Sequence, residues 1–350
     1  RVYFFCYFQF AQFIIPYPLR SAIIASGKSE KYSIVCCNYA SSLLNSNLPV
    51  LFDNSHLARA LGITPLDFGK LLYSIDDYCY HEIKIPKKNG GVRTLDIPSM
   101  DLKYIQRWIL DNILNKIHVS DYANGFVKNR SILTNAQNHI NSECVVNIDL
   151  KDFFPTVKFE QVFRIFKYYG YTKEVSYTLS KLCTYRGILP QGSPASPAIT
   201  NIICLKLDKR LSALGQKYEA TFSRYADDIT FSGKKAIVHL LPYAINIIRD
   251  EGFAVNLDKT HTSFKHQRQE VTGLIVNGDK VHVSQKFKKR FRQEIYYCKK
   301  YGVQSHLKHI NDHHAFYKEH MYGQAYFINM VEPSLGQELL RLLDSISWEY

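Results

Sequence analysis

Apolar residues recur every three or four positions in four stretches of the chain, which is the spacing that gives a helix one apolar face. These stretches predict helices over 53–80, 102–117, 196–211 and 236–251. The third helix starts with Ser196 followed by a proline, which indicates an N-cap residue and a proline in the first helical turn. Helices are therefore expected on both sides of the chain's midpoint.

Short runs of apolar and β-branched residues, bounded by turn-forming residues, predict strands between these helices. They lie at 80–85, 92–97, 144–148, 221–225, 229–232 and 271–276. The first two flank a basic turn, and the fourth and fifth form a hairpin. From Cys144 onwards the order is strand, helices, hairpin, helix and strand. This order predicts a mostly antiparallel sheet with helices on one face, which is an α+β architecture.

An excess of positive charge indicates which partners to expect. The chain has 350 residues and carries 44 lysines and arginines against 31 acidic residues, for a formal net charge of +13. Such a surplus concentrates polyanions near a protein, so nucleic acid is the first partner to consider and an anionic membrane surface the second. The 25 tyrosines and 21 phenylalanines also suit stacking on bases.

The first residues and the cysteines bear on where the protein works. The apolar run Val2–Ile15 is shorter than the ~20 residues that cross a bilayer, so we expect no membrane segment. No methionine precedes Met100, and we expect much of 1–48 to be translated upstream sequence outside the working enzyme. The 8 cysteines form no C-x-x-C pair, which favours a reducing, cytoplasmic location without disulfides.

Three aspartates stand at predicted strand ends. An apolar run delivers Asp149 to the end of one strand, while Asp227 and Asp228 lie at the tip of the predicted hairpin. Taken alone, that pair is better interpreted as an aspartate-rich surface turn. Nucleotidyl transfer, however, needs two divalent ions ~4 Å apart, and carboxylate oxygens are the ligands that Mg2+ prefers. The three carboxylates are therefore a candidate metal site.

Five ordered motifs give the chain a clear resemblance. They are a basic turn with Lys87, Lys88 and Arg93, then Asp149-Leu-Lys-Asp-Phe-Phe, then Leu189-Pro-Gln-Gly-Ser-Pro-Ala-Ser-Pro, then Tyr225-Ala-Asp-Asp, and finally the stretch from Gly252 to Thr260. In this order and spacing the chain resembles a reverse transcriptase from about residue 53 to about residue 345. The elements Asn135-Ala-Gln-Asn-His and Val271-Thr-Gly make it similar to the retron-type enzymes of that family.

The resemblance implies a right-hand polymerase with fingers, an antiparallel palm and a helical thumb. We expect most of the fingers at 53–142, the palm at 143–277 with part of the fingers interleaved, and an RNA- and duplex-binding thumb at 278–350. No role is assigned to 1–52.

The resemblance also implies roles for the acidic residues. Asp149, Asp227, Asp228 and the backbone carbonyl of Leu150 match the ligands of two Mg2+ ions, for which Mn2+ is a possible substitute. Lys259 matches the lysine that serves as general acid for the departing pyrophosphate. A surface lysine without a role is the alternative interpretation of Lys259.

Further residues match those that bind the incoming nucleotide. Phe154 matches the bulky residue that excludes a 2′-hydroxyl, and a core phenylalanine beside Phe153 is the alternative. Gln191 and Gly192 match the loop along the nucleotide, where a glycine lets the backbone approach closely. The basic turn matches the cations that grip the triphosphate, which are Arg93 with Lys87 or Lys88. An Asn-Gly-Gly turn with lysines is otherwise a solvated hairpin.

Nucleic-acid contacts are expected from the retron elements and from a cationic thumb helix. They are Asn135, His139, Val271, Thr272, Gly273, Lys286, Lys288, Lys289, Arg290 and Arg292. Helix and strand packing is the alternative for the retron elements, and a solvated helix for the cations. Three histidines at helical spacing, His306, His309 and His313, lack cysteine or acidic partners, so we expect no zinc site.

As a whole, the resemblance implies an RNA-directed DNA polymerase that copies a structured non-coding RNA into single-stranded DNA from dNTPs. In a retron, synthesis starts at a 2′-hydroxyl, the product is branched RNA–DNA, and a separate effector protein acts with it in antiphage defence. Three alternatives stay open: another bacterial reverse transcriptase, of group II intron or diversity-generating type, an RNA-dependent RNA polymerase, and a non-catalytic RNA-binding scaffold. Phe154 argues against the RNA polymerase, and the three aspartates argue against the scaffold.

Overall fold

The computed structural model describes residues 16–86, 90–311 and 316–348. Its contacts divide the chain into two compact units, each assembled from two separate stretches. The first unit contains the described residues up to Ser120 together with Asp152–Lys206. The second contains Asp121–Lys151 together with the described residues from Leu207 onwards.

The described chain is mainly helical. In chain order its helices are α1 (Pro16–Ala25), α2 (Glu30–Asn45), α3 (Asn54–Ala60), α4 (Pro65–Tyr78), α5 (Met100–Asn112), α6 (Ile132–Gln137), α7 (Phe153–Thr156), α8 (Phe159–Tyr168), α9 (Lys173–Cys183), α10 (Ser196–Ile203), α11 (Leu205–Lys217), α12 (Leu241–Asp250), α13 (Gln285–Tyr301), α14 (Val303–Ile310), α15 (Tyr317–Val331) and α16 (Pro333–Asp344). Short 3-10 helices occur at Leu114–Lys116 and Lys235–Leu240. Within the described residues, no helix is long and apolar enough to span a bilayer.

Among the described residues, eight strands form three antiparallel sheets. They are β1 (Tyr80–Pro86), β2 (Val92–Pro98), β3 (Cys144–Lys151), β4 (Thr221–Tyr225), β5 (Asp228–Gly233), β6 (Ala254–Phe264), β7 (Glu270–Val271) and β8 (Leu274–Ile275). Strands β1 and β2 pair in the first unit, and β7 pairs with β8 in the second. The main sheet lies in the second unit in the order β4-β5-β3-β6, and all its neighbours are antiparallel. The predicted antiparallel sheet and α+β class are confirmed.

Strand β3, one of the two inner strands of the main sheet, has most of its side chains buried. Six of its eight residues are buried, which explains the nearly continuous apolar run that the sequence shows there. The C-terminal helices α13 to α16 pack with the β7–β8 hairpin around an apolar core that contains Phe291, Met321 and Leu339 and continues to Val145 of β3. The second unit therefore combines a sheet with a helical C-terminal part.

The N-terminal helix α2 belongs to the folded first unit. Its Cys36, Ala40 and Leu43 are buried, and the hydroxyl of Tyr39 donates to the backbone oxygen of Leu51 at 2.5 Å. The sequence predicts that much of 1–48 lies outside the working enzyme, whereas these contacts make α2 part of the folded first unit.

Two predicted helices are each interrupted in the structure. The helix expected over 53–80 is α3 followed by α4, because Gly62 adopts a positive φ of 72° and Thr64 starts a new helix by accepting from the amide of Asp67. The helix expected over 196–211 is α10 followed by α11, with Cys204 between them. Apolar periodicity continues across both interruptions, so periodicity alone did not reveal them.

Three local details also differ from the prediction. Ser196 is the first residue of α10 and not its N-cap, and its hydroxyl donates to the backbone oxygen of Pro190 at 2.7 Å. The helix expected over 236–251 begins as a 3-10 helix and becomes α12 only at Leu241, where a proline occupies the first turn. The strand expected at 271–276 is the β7–β8 hairpin, because Thr272 and the next glycine adopt positive φ.

Candidate active site

Two of the three aspartates lie opposite each other on adjacent strands of the main sheet. Asp149 lies near the end of β3 and pairs in register with Asp228, the first residue of β5. Residues directly opposite in an antiparallel pair have their Cβ atoms about 4.5–5.5 Å apart, so both carboxylates share one end of the sheet. The β4–β5 hairpin pairs Tyr225 with Asp228, which leaves Ala226 and Asp227 as its two turn residues.

Backbone hydrogen bonds fix the turn relative to the central strand. The amide of Leu150 donates to the backbone oxygen of Asp227 at 3.0 Å, so the turn is tied to the residue that follows Asp149. Ala226 has a φ of 57°, the left-handed conformation that a tight two-residue hairpin requires at its first turn position. The sequence Tyr225-Ala-Asp-Asp thus brings its two aspartates to Asp149 through hairpin geometry.

The three aspartates repel one another, which favours a positive charge nearby. Asp228 is exposed as a residue, but protein atoms crowd its carboxyl and partly desolvate it, and the charges of Asp227 and Asp149 add repulsion, so its pKa rises to about 6. The ammonium of Lys259 on β6 lies 2.9 Å from Oδ2 of Asp149, and this hydrogen bond raises the pKa of Lys259. Lys259 therefore supplies part of the counter-charge that the carboxylates need.

The donor set fits a divalent cation in its chemistry. Three carboxylates and the backbone carbonyl of Leu150 are hard oxygen donors of the kind that bind Mg2+, and the repulsion that raises the pKa of Asp228 would be relieved by a cation. Within the described residues, no three His, Cys, Asp or Glu side chains already stand as a preformed metal cluster. One oxygen of Asp149 is instead engaged by Lys259.

A cavity of about 700 Å³ opens beside the carboxylates within the second unit. Its lining includes Asp149, Asp228 and Lys259 together with the polar Asn147 and His261 of neighbouring strands. Asn147 bridges these strands, since its amide group lies 3.3 Å from the His261 ring and its oxygen accepts from Thr230 at 3.1 Å. The cavity is thus polar and reaches from the aspartates across the open face of the sheet.

The residues predicted to bind the nucleotide lie in the first unit. Gly192 lies against β2 so closely that an added Cβ would come 2.3 Å from the backbone oxygen of Asp96. The ring of Phe154 is half-buried and meets the buried Phe153 edge-on, with 5.4 Å between centroids. Gln191 is also half-buried. The close approach at Gly192 explains why this position excludes a side chain.

The predicted triphosphate cations are only partly described. Lys87 and Lys88 lie outside the described residues. The backbone of Arg93 pairs with that of Ile85 in the β1–β2 hairpin, while its side chain lies outside the described part. The predicted hairpin is therefore present, and the roles of its cations stay predictions. His313 of the histidine series is likewise outside the described residues.

Burial corrects the predicted nucleic-acid contacts of the retron elements. Asn135 and Val271 are buried, and His139 is fully buried with its two ring nitrogens 2.7 and 2.6 Å from the hydroxyls of Ser232 and Ser223. Side chains enclosed in this way cannot reach an RNA surface, so packing, the alternative interpretation, describes them better. Thr272 and Gly273 do line the cavity beside the aspartates, in the left-handed turn between β7 and β8.

The cationic helix predicted for the thumb is α13, and the predicted role of one of its lysines needs a correction. Lys288 is 7% exposed, and its ammonium lies 3.1 Å from both carboxylate oxygens of Glu332, so it serves packing and does not face solvent. The other predicted cations of this helix remain exposed, and they are Lys286, Lys289, Arg290 and Arg292. The exposed members keep their predicted role in nucleic-acid binding.

Comparisons with known proteins decide the family. The family described as reverse transcriptase (RNA-dependent DNA polymerase) matches residues 85–278. The chain is 36% identical to the retron Ec86 reverse transcriptase of Escherichia coli over 88% of this chain and 93% of that protein. The chain belongs to the reverse transcriptase family. Two retron reverse transcriptases of Myxococcus xanthus, Mx162 and Mx65, are 36% and 34% identical over 83% and 85% of this chain, and over 66% and 73% of their own lengths.

Family membership confirms several expectations from the sequence. The chain is an RNA-directed DNA polymerase related to retron enzymes, and its fold is the right-hand polymerase arrangement of helices and antiparallel sheet. The predicted roles of individual site residues are not tested by these likenesses. Sequence reasoning overlooked Arg224 and Asp208, which the structure places beside the aspartate hairpin. The arginine directly before Tyr225 was the available signal.

Proposed function

We propose that this reverse transcriptase polymerises deoxynucleotides at Asp149, Asp227 and Asp228. The observation that carries the proposal is the register of the main sheet, which sets Asp149 opposite Asp228 while the turn holds Asp227 next to them. Two divalent cations, Mg2+ in the first place and Mn2+ as a substitute, would be held there with the Leu150 carbonyl, where they activate the attacking hydroxyl and neutralise the triphosphate.

The chain's own residues then complete the reaction. Lys259 is within hydrogen-bond distance of Asp149 and can deliver a proton toward the departing pyrophosphate, which is the general-acid role proposed for it. Gln191 and Gly192 line the incoming deoxynucleotide in this proposal, and Arg93 with Lys87 or Lys88 holds its triphosphate. Phe154 excludes ribonucleotides by occupying the space of a 2′-hydroxyl.

The proposed substrate is a structured non-coding RNA that serves as template and supplies the primer. Relatives named as retron reverse transcriptases support this choice. In the same proposal the primer is a 2′-hydroxyl of that RNA, and the product is single-stranded DNA in a branched RNA–DNA molecule. The enzyme works in the cytoplasm, with a separate effector protein, in defence against phage. Exposed cations of α13 and the turn Thr272-Gly273 contact the nucleic acid.

The first test compares two sets of aspartates. Asp227→Asn combined with Asp228→Asn should abolish DNA synthesis and leave RNA binding within about twofold, because an amide oxygen is a poor substitute for a carboxylate at a divalent cation. Asp258→Asn, which changes a carboxylate lining the same cavity, should retain most of the activity. Synthesis by the double variant at a rate near wild type would show that the metal site lies elsewhere.

The second test concerns the product. We would purify the protein from its native locus with its bound nucleic acid and follow gel mobility before and after RNase and debranching treatment. Branched RNA–DNA with the wild type, but not with the double aspartate variant, is the expected result. Unbranched DNA would keep the polymerase and refute 2′-hydroxyl priming, and RNA alone in both samples would refute synthesis under these conditions.

A third test concerns the proposed exclusion of ribonucleotides by Phe154. Phe154→Ala should lower discrimination between deoxynucleotides and ribonucleotides at least about tenfold, because the steric penalty on the 2′-hydroxyl is lost. Phe163→Ala, at another half-buried phenylalanine of the same unit, controls for general loosening. Equal discrimination in wild type and Phe154→Ala would assign Phe154 to the core.

A further inference from the structure

An ion pair lies fully buried beneath the aspartate hairpin. Arg224 on β4 and Asp208 on α11 are both 0% exposed. Nε and Nη2 of the guanidinium donate to the two carboxylate oxygens at 2.7 and 2.8 Å, which is the parallel two-bond geometry that arginine forms with a carboxylate. Asp208 stands in the first turn of α11, where the helix dipole also favours a negative charge.

The same guanidinium reaches the catalytic turn. Its Nη1 donates to the backbone oxygen of Ala226 at 3.1 Å. Two of the arginine's nitrogens are thus anchored on α11 while the third holds the turn residue directly before Asp227. Lysine could not reproduce this arrangement, because its donors all sit on one nitrogen and are not spread over a rigid planar fork.

The segment Tyr122–Gly125 also contacts the end of β4 and the turn. The amide of Asn124 donates to the backbone oxygen of Arg224 at 2.7 Å, and the amide of Arg224 donates to the backbone oxygen of Tyr122 at 2.9 Å. A Cβ on Gly125 would come 2.5 Å from the amide nitrogen of Ala226. Ala226 is therefore contacted both by the buried guanidinium and by a backbone segment that leaves no room for a side chain at Gly125.

These contacts stabilise the aspartate hairpin against two unfavourable energy terms. Ala226 holds a positive φ, which is unfavourable for a residue with a Cβ. The carboxylates of Asp149 and Asp228 also repel each other across the strand pair. A buried ion pair alone is weak evidence for added stability, since apolar residues of similar volume often replace one without loss. Its bond to the turn indicates a more specific role.

We propose that Arg224, anchored by Asp208, is a positioning residue that holds the Ala226 turn and thereby aims Asp227 and Asp228 at the divalent cations. The proposal rests on the proposed function, because it assumes that these aspartates bind the metal. It assigns to the arginine before Tyr225 an effect on metal affinity and turnover, exerted through the backbone and without contact to substrate.

Two variants separate positioning from simple stability. Arg224→Lys keeps the charge opposite Asp208 and loses the fork that reaches Ala226. Arg224→Met with Asp208→Leu removes both charges together, so no unpaired charge is left buried and the fold is expected to survive. Ile248→Val, at a fully buried position of α12 in the same unit, is the control for a small loss of core packing.

The expected result is a change at the metal site that exceeds any change in stability. We expect the half-saturating Mg2+ concentration to rise at least about fivefold and kcat to fall roughly 10- to 100-fold in both variants, since small misplacements of reacting groups have effects of this size. Binding of Mn2+ to the nucleic-acid-free protein, followed by electron paramagnetic resonance, should weaken in parallel. Ile248→Val should keep the wild-type values.

Hydrogen exchange provides a readout that needs neither metal nor activity. Amides of the peptide covering 222–231 should exchange faster in the variant that combines Arg224→Met with Asp208→Leu than in wild type. The exchange rates of α13 peptides should stay unchanged. Wild-type metal affinity, kcat and exchange in the double variant would overturn the proposal. Asp149→Asn, measured in parallel, tests the proposed function independently: if that variant stays active, the metal site is wrong whatever Arg224 does.

Discussion

The buried His139 makes the stability of the second unit depend on pH in a direction that can be calculated. Burial lowers the pKa of this imidazole to about 3, far below the value of about 6.5 in an unfolded chain. Between about pH 6.5 and about pH 3, His139 therefore binds a proton in the unfolded state but not in the folded state. The contribution of neutral His139 to stability is fully present at pH 7 and above, and it is lost progressively as the pH falls from about 6.5 toward about 3.

The size of this effect follows from proton linkage. Each pH unit between the unfolded and folded pKa values costs about 1.4 kcal/mol, so lowering the pH from 7 to 5 should remove about 2 kcal/mol of unfolding free energy through His139. His139→Gln cannot take up that proton. At pH 7 this variant should be less stable than wild type, because it disturbs the hydroxyls of Ser223 and Ser232, at about 1–3 kcal/mol for each one left unpaired. At pH 5 the difference between the two proteins should be smaller by about 2 kcal/mol.

The assay is urea unfolding followed by tryptophan fluorescence. The chain has two tryptophans. Trp348 belongs to the second unit, as does His139, and its ring packs against Tyr317. Trp108 belongs to the first unit. In a Trp108→Phe background the signal therefore reports on the second unit alone. His309→Gln, at an exposed position, controls for loss of an imidazole. A stability difference between wild type and His139→Gln that stays constant from pH 7 to pH 5 would refute the reasoning.

Three further substitutions test separate contacts. Gly192→Ala should raise KM for deoxynucleotides at least about tenfold in steady-state kinetics, because its Cβ would strike the β2 backbone; an unchanged KM would contradict this. Lys288→Met should cost about 2 kcal/mol in thermal unfolding through loss of its bonds to Glu332, with the salt dependence of RNA binding unchanged. Gly336→Ala should destabilise by about 1–3 kcal/mol because its Cβ would overlap α15, whereas Gly323→Ala, in open space, should not.

The sequence predicted the elements in which one rule dominates. The run before Asp149 is apolar because the side chains of β3 there are buried, and the hairpin signal at 221–232 is confirmed in register. The aspartates could be grouped from sequence because the motifs that contain them resemble, in order and spacing, those of reverse transcriptases. The 11-residue strand β6 was not predicted, since Asp258, Lys259 and His261 interrupt any regular alternation and its partner β3 lies more than 100 residues earlier.

Tertiary contacts decided the features that local reasoning assigned wrongly. His139 and Lys288 are polar, and both have the composition of surface residues until their partners Ser232 and Glu332 are known. The burial of Arg224 could not be predicted for the same reason, because in a protein of net charge +13 most basic residues are expected at the surface. Polar residues whose partners lie tens of residues away cannot be separated from solvated ones by periodicity.

The interleaved arrangement of the two units has a consequence for biosynthesis. The end of β3 at Lys151 lies about 77 residues before Asp228, where its neighbour β5 begins, and about 103 residues before Ala254, where its other neighbour β6 begins, and the stretch Asp152–Lys206 in between belongs to the other unit. At the speed of a ribosome, on the order of 5–20 residues per second, the most apolar strand waits several seconds for both of its neighbours. During that interval Val145, Val146 and Ile148 are exposed to other nascent chains. Expression at lower temperature or with chaperones present should therefore increase the soluble yield, and truncations that end between Lys151 and Thr221 should aggregate.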